Sequence, residues 1–211
     1  MGRGTSYGFC LYFKGFFDEA ERHLLKGSVF SEKIDYFPMA GLASWFLGET
    51  YFETGEHIKS RQYYNKTKLA SEHLGGYPSR IMLGKAGLTR AKVMNNEKDI
   101  DLRLLYGYEA ENKIKLHEGL MARYIGETLL NIDDQHVSEA EAWINKAVEA
   151  DKRNGMMWHL ARDYAFAAEL FRRKGNESKA KKNLSNAIEI FKECGADGWV
   201  EKYEKELAAL S

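Results

Sequence analysis

Glycines at positions 15, 55 and 175 and prolines at 38 and 78 recur on one spacing, 40 residues or a multiple of it. Self-similarity at a period of roughly 20–50 residues marks a repeat solenoid. Each unit is a supersecondary motif that cannot bury its apolar face alone, so neighbours stack into a continuous core. Such arrays expose long surfaces and seldom enclose active sites. The productive question for this chain is what it binds.

Placed in register, the segments show which residue types recur. Gly8, Gly48, Gly126 and Ala168 share one slot, where a small side chain lets the second helix of a pair approach the first. Ala20, Ala140 and Ala180 serve the same contact from the opposite helix, while Leu11, Tyr51, Leu129 and Phe171 fill the seam to the next pair. The recurring glycine takes the left-handed conformation that ends a first helix. Pro38 and Pro78 end a second helix and open the next pair. The copy over 79–114 is degenerate, with Asn95-Asn96 in place of the turn glycine, and the next carries two extra residues near Asp133-Asp134.

This pattern predicts eleven helices, over 5–14 and 17–33, 39–54 and 57–74, 79–94 and 98–113, 115–130 and 138–151, 156–174 and 177–193, then 197–209. Ser138 with Glu141 reads as a capping box and Asn176 as an N-cap. Val200, Tyr203, Leu207 and Leu210 form the apolar stripe of a closing helix.

The spacing of Leu47-Gly48, Tyr51 and the later alanine resembles the tetratricopeptide repeat. Its length is similar to that of the arrays at the C-terminal ends of bacterial signalling ATPases, nucleotide cyclases and MalT-like transcription activators. The resemblance implies an all-α, right-handed superhelical solenoid of about five helix-turn-helix repeats, a single domain over 1–211. Its repeats fall near 1–37, 38–77, 78–114, 115–154 and 155–195, with a capping helix over 197–210. It further implies that the first helix of each pair lines a concave groove. Residues assigned to that groove are Phe9, Tyr12 and Phe13, then Trp45, Glu49, Phe52 and Glu53, then Arg123, Glu127 and Asn131, and finally Arg162, Glu169 and Arg173. Several of the aromatics, Phe9 and Phe13 above all, also suit packing between repeats.

Composition narrows the function. Lysine plus arginine equal aspartate plus glutamate at 31 each, so no basic excess favours nucleic acid or a membrane surface. No apolar run approaches the roughly 18 residues of a membrane span. Cys10 and Cys194 make no disulfide framework, and Cys10, among Phe9, Leu11 and Phe13, reads as a small buried hydrophobe. The histidines at 23, 57, 73, 117, 136 and 159 lack metal-ligand spacing, and no phosphate-cradling glycine motif or nucleophile elbow occurs. Neither metal, cofactor nor catalysis is expected. Met1-Gly2-Arg3-Gly4 has no secretory leader behind it and matches an acylation start only superficially, so the expected compartment is the cytoplasm. Arg172-Arg173-Lys174 suits a helix C-terminus, with contact to an acidic peptide as the competing reading.

The expected function is a non-enzymatic scaffold that holds a peptide or helix of a protein partner in the groove. A second reading is a sensory or regulatory module of a larger signalling ATPase, cyclase or transcription regulator. Tyr7, Phe9, Leu11, Tyr12, Phe13, Phe16 and Phe17 crowd the first hairpin, more than a terminal pair buries on one side. Either a preceding repeat completes that end or it pairs with another chain, as a symmetric homodimer would.

Overall fold

Helix boundaries fall where capping and turn chemistry put them. The computed structural model describes residues 3–73, 78–97 and 99–210. Met1 and Gly2 of the acylation-like start, residue 74 as an expected helix end and residue 98 as an expected helix start lie outside the described residues. Within them the chain is helical: α1 Arg3–Lys14, α2 Phe17–Lys33, α3 Phe37–Glu53, α4 His57–His73, α5 Pro78–Met94, α6 Leu102–Ala110, α7 Glu118–Ile132, α8 Val137–Arg153, α9 Met157–Arg173, α10 Glu177–Glu193 and α11 Asp197–Ala209. Among the described residues no strand forms, and no helix is long and apolar enough to cross a membrane.

Two glycines show two different reasons for the residue. Gly55 follows α3 at φ +79° with nothing within 4 Å of where a Cβ would sit, so it serves the backbone turn. Gly48 is helical, and a Cβ there would lie 2.8 Å from the Tyr64 ring, so it serves close packing. In the degenerate copy Asn96 takes the left-handed turn at φ +62°, which asparagine tolerates better than most residues. Pro38 sits in the first turn of α3 and Pro78 begins α5, positions where a missing N–H is harmless.

Three helices, α6, α7 and α8, depart from the expected boundaries. α6 is only nine residues long. Asp101 starts it by accepting from the backbone N–H of Arg103 at 2.9 Å and Leu104 at 3.3 Å. Asn112 closes the segment with its own loop, accepting from Ile114 N at 3.1 Å and donating to its carbonyl at 3.0 Å. α7 begins at Glu118, after a 3₁₀ turn over Lys115–His117. The Ser138–Glu141 capping box is not used: Asp133 caps the 3₁₀ turn Asp134–His136, α8 begins at Val137, and Glu141 pairs with Lys174 instead. Asn176 does cap α10, accepting from Lys179 N at 3.0 Å.

The chain divides into two compact units, residues 1–111 and 112–211. In the first, α1 through α5 pack each against the next, and α6 adds a lighter contact to α5. Leu11, Leu24, Phe46, Leu47, Tyr51, Tyr64 and Leu83 fill its core. In the second, α7 through α11 pack in the same sequential way around Tyr124, Ile125, Ile144, Leu170, Phe191 and Trp199. Trp199, absent from the expected stripe, anchors α11: its ring stacks on Phe191 with centroids 5.6 Å apart, and it is wholly buried. Burial of such a side chain is worth about 1.5–3 kcal/mol. Cys10 is exposed rather than buried, because the inward face of α1 is taken by Gly8, Leu11 and Tyr12.

Candidate binding face and its buried polar supports

In the first unit an aromatic tier spans α1 and α3. Phe46 is its buried centre: Phe9 stacks on it at 5.2 Å between centroids, Phe13 meets it edge-on at 5.5 Å and Trp45 at 4.7 Å. Phe9, Phe13 and Trp45 are half-buried. Leu11 and Tyr12 are buried, and Phe17 packs against Tyr12. Of the aromatics that crowd the first hairpin, Tyr7 and Phe16 remain exposed and Phe9, Phe13 and Phe17 half-buried.

Beneath the tier lies a charge cluster with no free surface. Glu49 and Arg90 are 2% and 1% exposed and pair at 2.7 Å, joining α3 to α5. Tyr64 of α4 donates its hydroxyl to Glu49 and accepts from Arg90, while Tyr12 of α1 donates to Glu49 at 3.3 Å. The Tyr64 ring reaches this position through two glycines: a Cβ at Gly48 or Gly87 would stand 2.8 or 2.6 Å from it. Burial drives the Tyr64 hydroxyl well above its usual range, against the pull of Arg90, so it remains a donor at neutral pH. The Arg90 guanidinium also lies 3.7 Å from the centroid of half-buried Phe52, and burial together with Arg90 lowers the neighbouring His57. Glu53 is half-buried at the end of α3.

The second unit holds an analogous cluster of different composition. Arg123 of α7 donates to Asp163 of α9 at 2.7 Å and to the His159 carbonyl at 3.2 Å, with Glu127 3.6 Å away. Asp151, in the last turn of α8, completes it. Burial would lower Arg123, but Asp163 and Glu127 outweigh it and hold the guanidinium above its ordinary value. Arg162 stacks over Trp199 at 4.2 Å, tying α9 to α11. Nearby, Arg173 donates to the Leu130 carbonyl at 2.9 Å and to Asn131 Oδ1 at 2.8 Å, and pairs with half-buried Glu169 at 2.8 Å. Arg172 binds Glu169 and Lys174 binds Glu141, so the basic run is engaged within the unit.

The assigned groove residues therefore separate into two groups. Phe9, Phe13, Trp45, Phe52, Glu53, Asn131, Glu169 and Arg173 keep solvent access. Tyr12, Glu49, Arg123, Glu127 and Arg162 do not: first helices approach closely enough to enclose them, and they bond to one another and to neighbouring helices. Reading along the chain missed Tyr64, Arg90, Asp151, His159 and Asp163. A usable signal existed, because opposite charges stand about one period apart: Glu49 and Arg90 are separated by 41 residues, Arg123 and Asp163 by 40. No protein-family model matches the chain, and no curated protein is similar enough to count as a relative.

Proposed function

We propose that the chain is a non-catalytic, cytoplasmic protein-interaction scaffold, a tetratricopeptide-like right-handed solenoid of about five repeats that binds a peptide or helix of a protein partner along its first-helix face. The observation that carries this reading is the aromatic tier of α1 and α3. Phe9, Phe13 and Trp45 keep partial solvent access, and each ring contacts buried Phe46. Rings already held lose little side-chain freedom when a partner lands, and aromatic anchors of this kind dominate binding energy at interfaces.

The test is selection of a random-peptide display library on the wild-type chain, counter-screened with Trp45→Ala and Phe9→Ala. Peptides enriched on the wild type should lose tenfold or more in affinity on either variant while both keep wild-type helicity. Failure to enrich any peptide, or enriched peptides indifferent to both substitutions, contradicts the proposal.

A further inference from the structure

Asp151 and Asp163 are both fully buried, and their carboxyl groups lie in one compartment at the junction of α7, α8 and α9. One wall of that compartment is the backbone at Gly119 in the first turn of α7. A Cβ there would stand 2.1 Å from Asp151 Oδ1 and 2.2 Å from Cγ, so no other residue leaves room for the carboxyl. Arg123 satisfies only Asp163 Oδ1. Asp163 Oδ2 and both Asp151 oxygens are sealed from solvent and accept no hydrogen bond. Two carboxylates offer each other only acceptors. A proton between them supplies the missing donor and removes the repulsion.

The surrounding charges agree. From α7 come Arg123, Glu127 and Glu118, from α9 Arg162 and His159, and from the preceding 3₁₀ turn His117. Arg123 and Arg162 are balanced by Glu127 and a carboxyl pair that holds one proton. A fully ionised pair leaves the buried group with a negative excess. His159 cannot relieve that excess, because burial, Arg123, Arg162 and His117 all press its imidazole well below its ordinary value.

We infer that Asp151 and Asp163 form a proton-operated latch on the α7–α8–α9 junction, closed while the pair shares a proton and loosened when that proton leaves. The direction of the pH response follows from linkage. Burial raises both carboxyls, so the closed form keeps a proton that the open form releases above the ordinary carboxylate value of about 4. Closure therefore weakens as pH rises toward the pair's own value. His159 works in the opposite sense below about pH 6.5, where the open form takes up a proton that the closed form refuses. Above that pH only the carboxyl response remains, and the junction loosens with alkalinity. The latch does not depend on which partner the aromatic tier takes.

Hydrogen exchange of α7–α9 amides in the full chain, corrected for intrinsic rates, tests this between pH 6.5 and 9. Below the pair's own value the wild-type opening constant should rise by up to about tenfold per pH unit, the limit for release of one proton, and it should level off once the closed pair has lost its proton. Asp151→Asn carries a permanent amide donor and should flatten this dependence. Equal pH slopes for wild type and variant overturn the inference. Infrared difference spectroscopy of the wild type gives a check that needs no variant. A protonated-carboxyl stretch present at pH 7 and lost on alkalisation supports the latch, and its absence at pH 7 contradicts it.

Discussion

Replacing Glu49 by leucine removes one charge from a sealed site that holds two. A buried ion pair need not stabilise a fold relative to apolar residues, but deleting one partner strands the other at a cost of about 3–5 kcal/mol. Glu49→Leu should destabilise the chain by that amount, measured by denaturant unfolding, because Arg90 has no path to water. Gly48→Leu, one residue away, acts by crowding Tyr64 and should cost about 1–3 kcal/mol. An open-groove position for Glu49, as expected from the sequence, would rank these two in the reverse order. An effect of Glu49→Leu under about 0.5 kcal/mol would show that the Arg90 cluster is not as enclosed as described. Tyr64→Phe probes the same cluster more gently: losing the hydroxyl from between Glu49 and Arg90 should cost about 1–3 kcal/mol.

At the scale of elements, α6 is the weak member. Of its nine residues only Leu105 is buried, whereas nearly the whole of α7 is enclosed. Opening free energy follows buried contact, so α6 amides should exchange earliest among the helices and α7 amides among the latest. Slow exchange across α6 would contradict the packing seen here. The same contrast explains what was legible beforehand. Helices with a small-residue slot, an apolar seam and a glycine or proline stop, such as α3 and α10, could be placed from sequence within a residue or two. α6 could not, because its limits depend on Asp101 and Asn112 competing for local backbone groups rather than on periodicity. The one-period spacing of Glu49 with Arg90 and of Arg123 with Asp163 hinted at the polar clusters, but their burial was illegible for a related reason. Whether a charged side chain on a first helix faces water or its neighbour depends on how closely those helices approach, and Gly48 and Gly87 set that through Tyr64.

For the molecule as a whole, the division into two compact units leaves the segment between them as the natural point of attack. Glu111 and residues 113–116 are exposed, and Lys113 and Lys115 lie within them. Limited trypsin digestion should cut first within 95–117 and release fragments from either side that resist further digestion, as read by mass spectrometry. First cuts inside α3 or α9 would count against the two-unit organisation. The proposed aromatic binding face and the buried charge cluster below it should respond differently to substitution. The most direct test pairs affinity for a display-selected peptide with unfolding free energy for Trp45→Ala and Glu49→Leu. Trp45→Ala should lose about 2 kcal/mol or more of binding while keeping its helicity and cooperative unfolding, and Glu49→Leu should lose stability first. Intact affinity in Trp45→Ala, or collapse of its fold, would contradict the assignment of the aromatic tier as the binding face.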